Sequence, residues 1–183
     1  MPNRNWPQLI AVAVVAATAA PAAATDYLSV ADAQRALIPQ AQSFVPFPVT
    51  LTPAQLGQIR QISGVPQRTN QPRIWRAMLG GGGVGWVLVD EVVGKHEFIT
   101  YATAISNDGH VLGVEIMSYR ESHGGEVRNP AWRARFRGKT VGDPFKLNKD
   151  IPNISGATLS SRNITDGVKR LLAIHSLVLA RAG

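Results

Sequence analysis

The chain contains no cysteine. That absence removes disulfides, thiolate-held iron–sulfur clusters, c-type haem attachment through C-x-x-C-H and thiol redox chemistry together, so a bound organic cofactor is the expected carrier if the protein moves electrons. Acidic residues are scarce as well: 12 Asp and Glu stand against 19 Lys and Arg, a formal net charge of +7. A basic balance of this kind often accompanies nucleic-acid binding. The N-terminus argues against that partner, because it has an export-signal pattern: Arg4, an uncharged stretch from Leu9 to Ala20, then Ala22-Ala23-Ala24 in an A-x-A arrangement. A spanning helix needs about 20 predominantly apolar residues and is disfavoured by a residue such as Pro21. An uncleaved N-terminal anchor is the competing reading. Arg4 is followed by Asn5, so there is no twin-Arg pair, and export is expected in an unfolded, cofactor-free form.

Without residues 1–24 the length suits one domain with its own core. Ser29 to Ile38 reads as a short helix capped by Ser29 and stopped by Pro39. Prolines at alternate positions keep Phe44 to Val49 extended. Thr52-Pro53 opens a second helix with Leu56, Ile59 and Ile62 on one face and Ser63-Gly64 at its end. Trp86 to Val93 is a dense β-branched run, Gly94-Lys95-His96 turns it, and Phe98 to Ile105 returns. Asn107-Asp108-Gly109 is a strong hairpin signal leading into Val111 to Tyr119. Asn129-Pro130 starts a helix with Trp132 and Phe136 four apart, and Ile164, Val168, Leu171, His175 and Val178 line a final one. The expected fold class is α+β, a single domain of helices packed against an antiparallel sheet.

One segment carries more chemistry than the rest: Ser155-Gly156-Ala157-Thr158-Leu159-Ser160-Ser161, with Asp150 upstream and Val168 downstream. Gly156 and Ala157 leave the backbone uncovered just before Thr158, which falls about where the last helix opens. Unpaired N–H groups and the positive dipole end there favour an anion, and Ser155, Ser160 and Ser161 add hydroxyl donors. The same residues also read as an ordinary Ser/Thr-rich helix cap after a glycine turn.

The segment resembles the SGAT-x-[ST]-[ST] signature of FMN-binding domain proteins, including the periplasmic flavin subunits of the sodium-pumping NADH:quinone reductase and of the Rnf complexes. The resemblance implies that a dedicated flavin transferase esterifies the Thr158 hydroxyl to the phosphate of FMN. Less sharply, it covers about Trp86 to Ala173. Within it, Tyr119 to Val127 occupies the place where relatives carry a Glu followed by a Gly-containing loop. His123-Gly124-Gly125 departs from the T-P-G-L-G-like stretch of the respiratory subunits. Glu121 and His123 are then candidates to hydrogen-bond the flavin ring, with Gly124 and Gly125 allowing close backbone approach, against the alternative of an ordinary loop bend. An acidic residue also lies just upstream of SGAT in relatives, which gives Asp150 a role in transferase recognition or metal-assisted attachment. A turn carboxylate in Asn148-Lys149-Asp150 is the alternative.

The implied organisation is a signal peptide over 1–24, an N-terminal helical and extended region over 25–80, and an FMN-binding domain over 81–183. The implied function is an exported, periplasmic or extracytoplasmic electron relay, open to membrane association, that exchanges electrons with a membrane or periplasmic redox protein. Two alternatives stand beside it: a non-covalent FMN sensor or assembly module, and an extracellular flavin reductase acting on ferric or small organic acceptors.

Other constellations carry less. Gly80 to Gly85 lacks the Lys-Ser/Thr and following helix of a phosphate loop and reads as a flexible connector or turn. His96, His123 and Glu126 show no recognised metal-ligand spacing. His175 reads as a packing residue. Arg133, Arg135, Arg137 and Lys139 beside Trp132 read as a solvated helix face, or next as a dock for an acidic redox partner.

Overall fold

The computed structural model describes residues 25–182; the stretch 1–24, on which the export reading rests, lies outside them. Six antiparallel strands form one sheet in the order β1-β6-β5-β4-β3-β2: β1 Thr25–Asp26, β2 Ser43–Pro46, β3 Arg73–Leu79, β4 Gly82–Val93, β5 Phe98–Ile105 and β6 Val111–Tyr119. The sheet runs without interruption across position 80, so 25–80 and 81–183 share one fold.

The helices begin where local chemistry dictates. In α1, Val30–Leu37, the Ser29 hydroxyl accepts from the Asp32 amide at 3.2 Å. In α2, Pro53–Ser63, Thr52 and Gln55 form a reciprocal capping box, and Gly64 ends the helix at φ +83°. Asn129 caps α3, Pro130–Arg133, through the Ala131 amide at 2.9 Å. The helix expected there is only one turn long and tightens into a 3₁₀ turn through Phe136, whose ring meets Trp132 edge-on at 5.1 Å. The last helix, α4, runs Thr158–Ile174 and continues as a π turn over His175–Leu179.

Strand period two divides the core. Val87, Val89, Ala102, Ala104 and Met117 face α1, whereas Trp86, Leu88, Val92, Ile99 and Tyr101 face α2 and α4. A buried ion pair ties α4 to the sheet: Arg170 Nη2 donates to Asp90 Oδ2 at 2.5 Å, and the Tyr101 hydroxyl donates to the same oxygen at 3.3 Å. Burial, then the adjacent Asp90 charge, pushes the Tyr101 phenol well above its ordinary range.

The glycine run is no flexible connector. Gly80 and Gly81, at φ +57° and +85°, make the tight β3–β4 turn, and Gly82 to Gly85 belong to β4. Gly83 leaves room for the Arg76 side chain, whose guanidinium stacks 4.1 Å above the Trp86 ring.

Candidate functional site

Strand ends and the start of α4 converge at one end of the sheet. The β4–β5 turn supplies Lys95 and His96, the loop after β6 supplies Glu121, Ser122 and His123, and Gly156 to Ser160 supply the third wall of a cavity of about 340 Å³. Sequence positions more than 60 apart meet there because β4, β5 and β6 are antiparallel neighbours and α4 packs across them.

Thr158 is exposed in this cavity as the first residue of α4, and Asn153 Nδ2 donates to its Oγ1 at 3.2 Å. The residue before it, Ala157, is the N-cap and offers no side-chain oxygen to the first amides. This distinguishes α4 from α1 and α2, whose starts are closed by Ser29 and Thr52. The Ser/Thr-cap alternative is therefore not what the fold adopts, and the helix start faces the cavity with its dipole uncompensated by a capping side chain. Ser155 and Gly156 form the exposed turn leading in, with Gly156 at φ +78°.

The two following serines have structural duties. Ser161 is fully buried and its hydroxyl donates back to the Ala157 carbonyl at 2.7 Å. Ser160 is buried with its Oγ 3.4 Å from the Tyr119 hydroxyl, which also donates to the His123 carbonyl in a short hydrogen bond. Of these two, Ser160 lines the cavity and Ser161 does not. The Ser161 proton is thus committed to the helix start, whereas Ser160 stands at the cavity wall beside Tyr119.

Gly124 packs against the segment before α4. At φ +89° it is buried against Ala157, and a Cβ there would overlap the Ala157 methyl and lie 2.6 Å from the Tyr119 hydroxyl. The bare backbone admits the SGAT segment. Gly125 begins a short 3₁₀ turn and has open space where a Cβ would go; it borders a shallower opening with Tyr27, Tyr119 and Glu126.

Glu121 lines the cavity, but its Oε1 is committed to two backbone donors, the His96 amide at 2.6 Å and the Glu97 amide at 3.0 Å. Burial pushes its carboxyl up, and hydrogen bonds from the amides of Glu97, His96 and Lys95 outweigh that effect and hold it below the ordinary range. Gly94 makes the approach possible, since a Cβ there would lie 3.0 Å from Glu121 Cγ. Glu121 thus fixes the turn that presents Lys95 and His96. On the opposite wall, Ser122 Oγ and His123 Nδ1 are in hydrogen-bond contact at 2.9 Å.

Asp150 is not brought to this cavity. Its carboxylate accepts from Lys139 Nζ at 3.0 Å and from the Phe145 and Lys146 amides at 3.0 and 2.6 Å, which organises the loop before α4. Lys139 is spent on that pair, and Arg133 is held by Glu115 and by the Val114 carbonyl. The basic cluster of residues 133–139 is consequently half structural. No group of three His, Asp or Glu able to hold a metal comes together among the described residues.

Lys95 and His96 line the cavity, and Gly94, Tyr119 and Asn153 contact residues of its walls; motif reading gave none of the five a place there. Only the strand pairing that brings the 94–97 turn beside residue 121 reveals the first three.

Residues 94–173 match the FMN-binding domain family. Over 134 residues the chain is 29% identical to a subunit of the Na(+)-translocating NADH-quinone reductase of Yersinia pestis, covering 63% of this chain and 48% of that protein. Over 110 residues it is 28% identical to a subunit of the proton-translocating ferredoxin:NAD(+) oxidoreductase complex of Clostridium ljungdahlii, covering 56% and 60%. The chain therefore spans about half the length of the first of these relatives and three fifths of the second. A crystal structure of Shewanella oneidensis NqrC is similar over 71% of this chain and 64% of its own, with TM-score 0.47 and 18% identity. The cavity's walls from Lys95 to Ser160 lie inside the segment that matches the FMN-binding domain family.

Proposed function

We propose that the chain carries FMN covalently on Thr158 and relays electrons between redox partners outside the cytoplasm. The observation that carries this reading is the pairing of an exposed Thr158 hydroxyl with a helix start that no side chain caps, inside a cavity bordered by Lys95, His96 and His123. These residues fit a phosphomonoester. The dipole and first-turn amides favour the anion, Lys95 lies across the cavity from them, and Asn153 fixes the oxygen that would bond to phosphorus.

Attachment through the phosphate leaves the isoalloxazine free to accept and return one or two electrons when bound. The chain's own contribution is orientation. Tyr119 ties the His123 carbonyl towards Ser160, Gly124 seats Ala157 under that loop, and Glu121 holds the opposing turn. A tether also keeps a mononucleotide from diffusing away once the protein is outside the cytoplasm. Maturation requires a flavin transferase, and the +7 charge suits an acidic or membrane-held redox partner.

Intact mass of chain made with and without a co-expressed flavin transferase tests the reading. The parent should gain FMN less one water, and Thr158→Val should not. Flavin that leaves the polypeptide on denaturation would replace the covalent reading with the non-covalent module.

A further inference from the structure

We propose that the end of the sheet bearing Val93 and Phe98 is a docking rim that rests on an anionic lipid surface. Among the described residues, the large apolar side chains left exposed are Val45, Leu79, Val93, Phe98 and Leu159. Two of them are neighbours: Val93 and Phe98 are paired across the β4–β5 turn on the face opposite Val92 and Ile99, and from α4 Asn163 Nδ2 donates to the Val93 carbonyl at 2.6 Å. Leu159 borders the cavity, whereas Val93 and Phe98 stand outside it. Exposed apolar residues scattered singly are ordinary; Val93 and Phe98 instead stand side by side.

Cations surround the group. The Arg68 guanidinium lies 4.3 Å over the Phe98 ring, Lys95 is exposed between the two strands, and Arg162 is exposed on α4. Of the acidic neighbours, Glu97 is exposed and Glu121 is turned onto backbone amides. Apolar tips among cationic side chains suit the headgroup boundary of an anionic bilayer, with the tips in the acyl region and the cations at the phosphates. An acidic protein face would match the cations and leave Val93 and Phe98 against charge.

The absence of cysteine permits a clean test on the full chain. Val93→Cys, Phe98→Cys and, as an equally exposed apolar control near the opposite end of the sheet, Val45→Cys would each carry an environment-sensitive fluorophore. A Thr158→Val background removes flavin as a variable, so a failed flavin assignment leaves this result untouched. With vesicles of phosphatidylglycerol and phosphatidylcholine containing nitroxide lipid, quenching at 93 and 98 should exceed that at 45 at least threefold. The excess should shrink in pure phosphatidylcholine and in Arg68→Glu, Lys95→Glu chain. Equal quenching at the three sites would overturn the proposal, as would quenching indifferent to lipid charge. A spectral shift caused by a polyglutamate peptide, without lipid quenching, would reassign the rim to an acidic protein and overturn it too.

Discussion

Gly124→Ala should be the most damaging single-methyl change at the site, and its cost can be worked from two separate contributions. The backbone at φ +89° belongs to the left-handed region, where a side chain costs about 1–3 kcal/mol. The added Cβ would overlap Ala157 and sit 2.6 Å from the Tyr119 hydroxyl, and overpacking of this kind costs about 1–3 kcal/mol. Together they remove about 2–6 kcal/mol from a domain whose stability is on the order of 5–15 kcal/mol. At about 2–4 °C per kcal/mol for a chain of this size, the melting temperature should fall by at least about 4 °C. Two neighbours separate the contributions. Gly156→Ala meets no neighbour but sits at φ +78°, so it carries the backbone cost alone; Gly125→Ala has neither clash nor positive φ and should stay within about 0.5 kcal/mol. Thermal melts of the three variants, followed by far-UV circular dichroism, should rank them 125, 156, 124 in rising damage. If Gly124→Ala melts within about 1 °C of Gly125→Ala, the packing of that loop on Ala157 is wrong.

Asn153→Ala removes the donor to Thr158 Oγ1, and flavin incorporation, read by intact mass over time, should slow with little change in melting temperature. Ser161→Ala should still accept flavin while losing about 0.5–1.5 kcal/mol in urea titration, because its hydroxyl serves the Ala157 carbonyl. His175 is buried with Nε2 unpartnered, and burial, then the Arg76 charge, depress its pKa against smaller opposing effects from Asp108 and the Ser106 backbone. The unfolded chain then binds a proton that the folded chain refuses, so stability is complete above about pH 6.5 and falls as pH drops below it, by up to about 1.4 kcal/mol per unit. Urea midpoints of His175→Leu should show a shallower slope between pH 5.5 and 6.5 than the parent. Asp90→Ala strands the buried Arg170 and should cost about 3–5 kcal/mol in the same assay.

Features fixed by neighbours in sequence were legible. Ser29, Thr52-Pro53 and Asn129-Pro130 mark their helix starts, and Asn107-Asp108-Gly109 marks its hairpin, because caps and turns need only three or four residues. β3 was hidden: Arg73 and Arg76 interrupt its apolar pattern, a bulge shifts its register after Ala77, and pairing with β2 and β4 supplies what propensity lacks. The place of Thr158 at the start of α4 was legible from its motif, since the glycine turn and the helix start are contiguous. The duties of Ser160, Ser161, Gly124, Glu121 and Asp150 could not, because each is set by a partner from another element or by helix geometry that the residue type does not encode.

The placement of β1 against β6 means that the earliest-synthesised described strand waits for one made some ninety positions later. Closure of that edge needs both on the same side of any membrane the polypeptide crosses. Until β1 docks, β6 presents an open edge. Assembly order is thereby written into strand order: the β1 edge closes only once β6 has been made.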